Sequence, residues 1–103
     1  MTQPLTPDRI LEAAEEVLRR HGAVAEVAVV GVPDETWGER VVACVVPRPG
    51  RDRECNEEAL RSFAKEHLAP YKVPRTVVCF DDLPRNAMGK VMKPELTRRL
   101  RSL

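Results

Sequence analysis

Apolar residues recur along this chain with two different periods, and the switches between them mark its elements. Ile10, Leu11, Ala14, Val17 and Leu18 fall at helical spacing and form one apolar stripe. Ahead of them, Thr6-Pro7-Asp8 reads as a helix start: a hydroxyl N-cap, Pro at the first helical position, and an acid at the positive end of the dipole. Arg19, Arg20 and His21 fill the last turn, and Gly22 is the expected C-cap. Residues 24–32 are rich in β-branched side chains and too short for a typical helix, so they predict a largely buried strand that ends at Pro33-Asp34. A polar turn over 34–40 leads to a second predicted strand, 41–46, closed by Pro47; residues 48–54 then form a loop around Pro49 and Gly50. Asn56 is the expected N-cap of a second helix with Leu60, Phe63, Ala64, His67 and Leu68 on its inner side, stopped by Pro70. Residues 76–80 predict a third strand, 81–90 a long turn, and 93–100 a short helix. That order defines an α+β fold, a small three-stranded sheet flanked by helices, with no internal repeat or linker.

Composition narrows the classes of function. At 43% hydrophobic and 32% charged residues the chain has the makings of a globule, and at 103 residues it is one domain, residues 1–103. It is short for a complete enzyme that holds a nucleotide and a second substrate in a deep cleft. Aromatics make up only 4%, so the core must be aliphatic. The net charge of +1 lacks the basic excess of a nucleic-acid binder, and the strands lack aromatics for stacking bases, so no nucleic-acid partner is expected. No apolar run reaches about 18 residues, so no membrane span is expected either. Cys44, Cys55 and Cys79 form no CxxC pair and leave an odd thiol under any disulfide scheme, which suits a reducing compartment, the cytoplasm by default. Cys44 and Cys79 lie in apolar strands and are expected to be buried; Cys55, beside a helix start, has no His or second Cys to activate it. His21 and His67 lack metal-ligand spacing, so no metal site is expected. Trp37 either meets a partner or plugs the edge of the core.

The chemistry is concentrated in residues 83–93. Pro84 and Gly89 bracket a loop, with Arg85 and Asn86 in it, that presents Lys90 just before a helix. Lysine is a compact cation on a flexible stem, suited to meeting a phosphate or carboxylate oxygen as negative charge develops. Taken alone, the Gly89-Lys90 pair reads first as a surface turn with a solvated lysine, because such pairs are common. It is no phosphate-cradling P-loop, because the first glycine is missing and Val91 stands where Ser or Thr should follow.

This loop resembles the C-terminal signature of the adenylate-forming superfamily, which includes acyl-CoA synthetases, peptide synthetase adenylation domains and luciferases. The resemblance extends upstream, in order, through residues 23–34, Trp37-Gly38-Glu39, residues 42–46 and the corner at residues 68–74, and is strongest to acyl-CoA synthetases. It implies that the chain is a mobile lid on a large adenylation core domain, with Lys90 matching the lysine that bridges substrate carboxylate and nucleotide α-phosphate. Pro84, Arg85, Asn86 and Gly89 would then support the catalytic loop. Lys65, on the second helix, falls where some relatives place a basic residue against CoA, and is otherwise a solvated helix lysine. The cofactors implied are ATP or AMP, with Mg, and CoA or a carrier pantetheine, all held through the core domain and none by this chain alone.

The sequence departs from the family pattern at its start. The large core domain and the hinge with its Gly-rich loop are not seen, and Met1 to Pro7 show nothing of that loop's pattern. The chain by itself is therefore not expected to be active. Two readings follow. The first is the lid of an ATP-dependent acid–thiol ligase, acting on a core in the same polypeptide or in another chain. The second is a stand-alone binding or regulatory module that docks on an adenylation core or an acyl carrier protein.

Overall fold

The computed structural model describes residues 6–36 and 38–101; Trp37 lies outside them. Helix α1 spans Asp8–Arg19, strands β1 and β2 span Val24–Asp34 and Gly38–Pro47, and helix α2 spans Glu57–Lys65. Strand β3 covers Thr76–Cys79 and helix α3 covers Lys93–Arg101. The sheet order is β1-β2-β3, with β1 antiparallel to β2 and β3 parallel to β2. A parallel pair needs a crossover, and α2 supplies it.

Residues 27–30 form an unbroken apolar run because both faces of the sheet are covered. Val27 and Val29 of β1, with Ala43 and Val45 of β2, join Leu11, Ala14, Leu18, Leu60 and Ala64 in a core under α1 and α2. The alternate residues, Ala28, Val30, Val32, Val42 and Cys44, pack with Leu83, Leu96 and Leu100 in a second core under α3. Each fully buried Leu contributes roughly 1.5–3 kcal/mol.

Several expected boundaries shift, each for a local reason. The residue preceding α1 is Pro7, with no side-chain cap. Thr6 is not the cap, because the helix starts at Asp8 and leaves Thr6 one residue ahead of the capping position; its N–H donates to the Glu39 carboxylate of β2 (2.8 Å). Gly22 does not take the left-handed conformation of a C-cap; Arg20 ends α1 in a right-handed conformation. The expected turn at 34–40 is largely strand, since Pro33 pairs with Glu39 and Asp34 with Gly38, and Pro33 is tolerated because β1 is an edge strand. Asn56 does cap α2, its Oδ1 accepting from Ala59 N–H (2.8 Å). Cys79 is exposed rather than buried, because it is the last residue of the edge strand β3.

Candidate functional site

Pro84 to Met92 form a small hairpin rather than an open turn. Arg85 and Val91 bridge as antiparallel partners, and Met92 N–H donates to Pro84 C=O (2.8 Å). Inside that bridge Asn86 N–H donates to Lys90 C=O and Gly89 N–H to Asn86 C=O, both at 2.9 Å. Gly89 closes the turn at φ +83°, a left-handed conformation that disfavours any residue with a Cβ. The Asn86 side chain reinforces the same turn: its Oδ1 accepts from Met88 N–H (2.9 Å) and Lys90 N–H (3.0 Å). Arg85 donates to Gly89 C=O (2.6 Å), the carbonyl of the peptide that leads into Lys90. The expected supports Arg85, Asn86 and Gly89 thus all bear directly on the backbone that carries Lys90, and Pro84 sits at the hairpin's open end.

Lys90 opens onto a groove of about 410 Å³ along the outer edge of β1, floored by Val27 and Ala28 and flanked by Glu15, Arg19 and Lys93. Glu15 is 14% exposed and ties three elements together: its carboxylate accepts Val29 N–H (2.8 Å) and pairs with Lys93 Nζ (2.8 Å). Among the described residues, Lys90 and Arg19 have no ion-pair partner. The groove therefore offers cations to an incoming anion while its one carboxylate is already engaged. Sequence reasoning missed Glu15 and Arg19 here; Glu15 meets the strand only through the fold.

Lys65 is not part of this groove. It sits on α2, over the sheet face opposite α3, and is exposed. A separate hollow of about 310 Å³, lined by Arg9, Ile10, Tyr71 and Lys72, lies where α1 meets the turn at Pro70–Lys72, with Tyr71 72% exposed.

Burial pushes the Cys44 thiol up to about 12, with the Lys93 ammonium working against it. Desolvation, only partial at Cys79, also raises Cys55 and Cys79, so none of the three is an activated nucleophile. Hydrogen bonds from Arg98, then Arg99, hold the Glu95 carboxyl down at about 2. No group of three or more His, Cys, Asp or Glu among the described residues could hold a metal ion, and no described helix is long and apolar enough to cross a membrane.

The chain is similar to known proteins in sequence and in fold. A family model described as the AMP-binding enzyme C-terminal domain matches residues 13–90. A mitochondrial malonate–CoA ligase of Bos taurus is 44% identical over 86 residues, which is 84% of this chain and 14% of the ligase. A CoA ligase of Mycobacterium tuberculosis that acts on a methyl-dioxo-octahydroindenyl propanoyl group is 50% identical over 82 residues, 80% of this chain and 16% of that protein. Among solved structures, a fatty acyl CoA synthetase of Mycobacterium tuberculosis superposes with a TM-score of 0.80 at 36% identity, covering 86% of this chain and 17% of its own. The chain thus spans about one sixth of the length of the relatives it matches.

Proposed function

Because the chain belongs to the family of AMP-binding enzyme C-terminal domains, and its relatives are CoA ligases, we propose that it serves as the lid of an ATP-dependent acid–thiol ligase. The observation that carries this reading is the preformed hairpin, which holds Lys90 at the mouth of a cationic groove with no ion-pair partner among the described residues. In the reaction, a carboxylate substrate attacks the α-phosphate of ATP, two anions that repel each other. The Lys90 ammonium enters between them, offsets that repulsion, and stabilises the charge that builds on the phosphate oxygens as pyrophosphate leaves. Asn86, Gly89 and Arg85 hold the backbone so that little reorganisation is needed when the lid closes.

The chain has no Gly-rich phosphate cradle of its own, so ATP and the acid are assigned to the N-terminal adenylation core, in the same polypeptide or another. Mg²⁺ is expected with ATP and is assigned to the core with it. CoA is the thiol acceptor that the relatives' names favour. Lys65, on the far face of the sheet, is assigned to that second step.

The test is to join this chain to the N-terminal domain of a CoA ligase stripped of its own C-terminal domain, and to measure ATP–pyrophosphate exchange driven by the acid. Lys90→Ala is expected to lower exchange by about 10²-fold or more. Equal exchange by the wild-type and Lys90→Ala chains would show that this lysine is not the adenylating one.

A further inference from the structure

Glu26 lies on β1, 59 residues before its partner, immediately after the register shift that separates it from Val24. Its carboxylate is ion-paired with the Arg85 guanidinium. The other arm of the same guanidinium donates to Gly89 C=O at 2.6 Å. Arg85 is therefore a two-armed connector, with one arm on the sheet and the other on the Gly89–Lys90 peptide. With side chains 40% and 32% exposed, the Arg85–Glu26 pair contributes little to overall stability. Its effect is on direction. A planar guanidinium held at one end by a carboxylate presents its second N–H at a set angle, which a free arginine on a long stem does not.

We propose that Glu26 is a positioning residue for Lys90, acting through Arg85 to lock the hairpin against β1 so that the lysine reaches a closing active site in one orientation. This rests on reading Lys90 as the adenylating lysine. The hairpin's own bonds, from Asn86 and Gly89, fix its internal shape but not its attitude to the sheet. Glu26–Arg85 fixes that attitude on the side facing β1. A displacement of about 1 Å at the reacting group is enough to cost up to about 10²-fold in rate. A surface carboxylate far from the chemistry in sequence can therefore set the rate of the first step.

Glu26→Gln keeps the size of the side chain and removes its charge. In the joined enzyme described above it is expected to lower kcat for acyl-adenylate formation by about 10-fold with KM for the acid unchanged. Thioester formation from preformed acyl-adenylate should proceed at the wild-type rate, which a general folding defect would not allow. The double variant Glu26→Gln/Arg85→Gln should be no slower than Arg85→Gln alone, since both act through one connector. On the 103-residue chain by itself, Glu26→Gln should speed amide hydrogen exchange at Gly89 and Lys90 several-fold while leaving Leu60 in α2 unchanged. Loss of both half-reactions together, additive effects in the double variant, or unaltered exchange at Gly89 and Lys90 would overturn the proposal. If Lys90→Ala abolishes adenylation and Glu26→Gln leaves it intact, the positioning role fails while the lid reading stands. If Lys90→Ala has no effect, the lid reading itself fails.

Discussion

Replacing Gly31 with Ala would set a methyl group against the Glu39 carboxylate. A Cβ built at Gly31 lies 2.6 and 2.7 Å from the two carboxylate oxygens, closer than real Cβ atoms come. Gly31 pairs with Val41 and Pro33 with Glu39, so the glutamate side chain lies diagonally across the strand over the bare glycine. Its flexible end can swing away, but Thr6 N–H would then lose its acceptor at 2.8 Å. Losing a hydrogen bond to a charged group costs roughly 1.5–3 kcal/mol. The alanine offsets about 0.5–1 kcal/mol of that by narrowing the unfolded ensemble. The expected net loss is about 1–2 kcal/mol, or roughly 5–10 °C in Tm for a domain of this size. With Glu39→Ala already in place the clash is gone, and the same Gly31→Ala change should become neutral or stabilising by about 0.5 kcal/mol. Urea denaturation of the four proteins in this cycle measures both steps. If Gly31→Ala has the same sign and size with and without Glu39, the carboxylate is not what the glycine accommodates.

Two further outcomes follow from the groove and the core beneath it. Glu15→Ala strands Val29 N–H and breaks the pair with Lys93, so it should cost about 2 kcal/mol in a urea titration, whereas Glu15→Gln keeps an acceptor for Val29 and should cost under about 1 kcal/mol. Cys44 is neutral in the fold up to about 12 but ionises at about 9.0 once unfolded, so its contribution is complete below pH 9, is lost progressively as pH rises, and is gone by about pH 12. Cys44→Ala should therefore lose less stability than the wild type between those two pH values, and an identical decline would contradict the burial argument.

The strands were legible because their apolar runs are short and β-branched, and α2 because Asn56 supplies its own cap locally. Thr6 looked like a cap, but α1 starts at Asp8 and leaves Pro7, not Thr6, in the capping position. Cys79 looked buried because its neighbours are apolar, and only the sheet order reveals it as the end of an edge strand. At the site, spacing alone could not separate Lys90 from a solvated lysine; the family resemblance did. Asn86 and Gly89 act on near neighbours and were readable. Glu15 and Glu26 were not, because they meet their targets 14 and 59 residues along the chain.

The second core has a consequence for synthesis on the ribosome. Its fully buried strand residues, from Ala28 to Cys44, have emerged long before Leu83, Leu96 and Leu100, which cover them. Until then one side of the sheet is a bare aliphatic surface with nothing of its own to pack against. The Lys90 hairpin lies inside that late segment, between Leu83 and Leu96, so it takes shape only as the surface is sealed. A nascent chain therefore presents its adhesive face first and its candidate catalytic loop last, and a ribosome that stalls before Lys93 would release a sheet prone to aggregation.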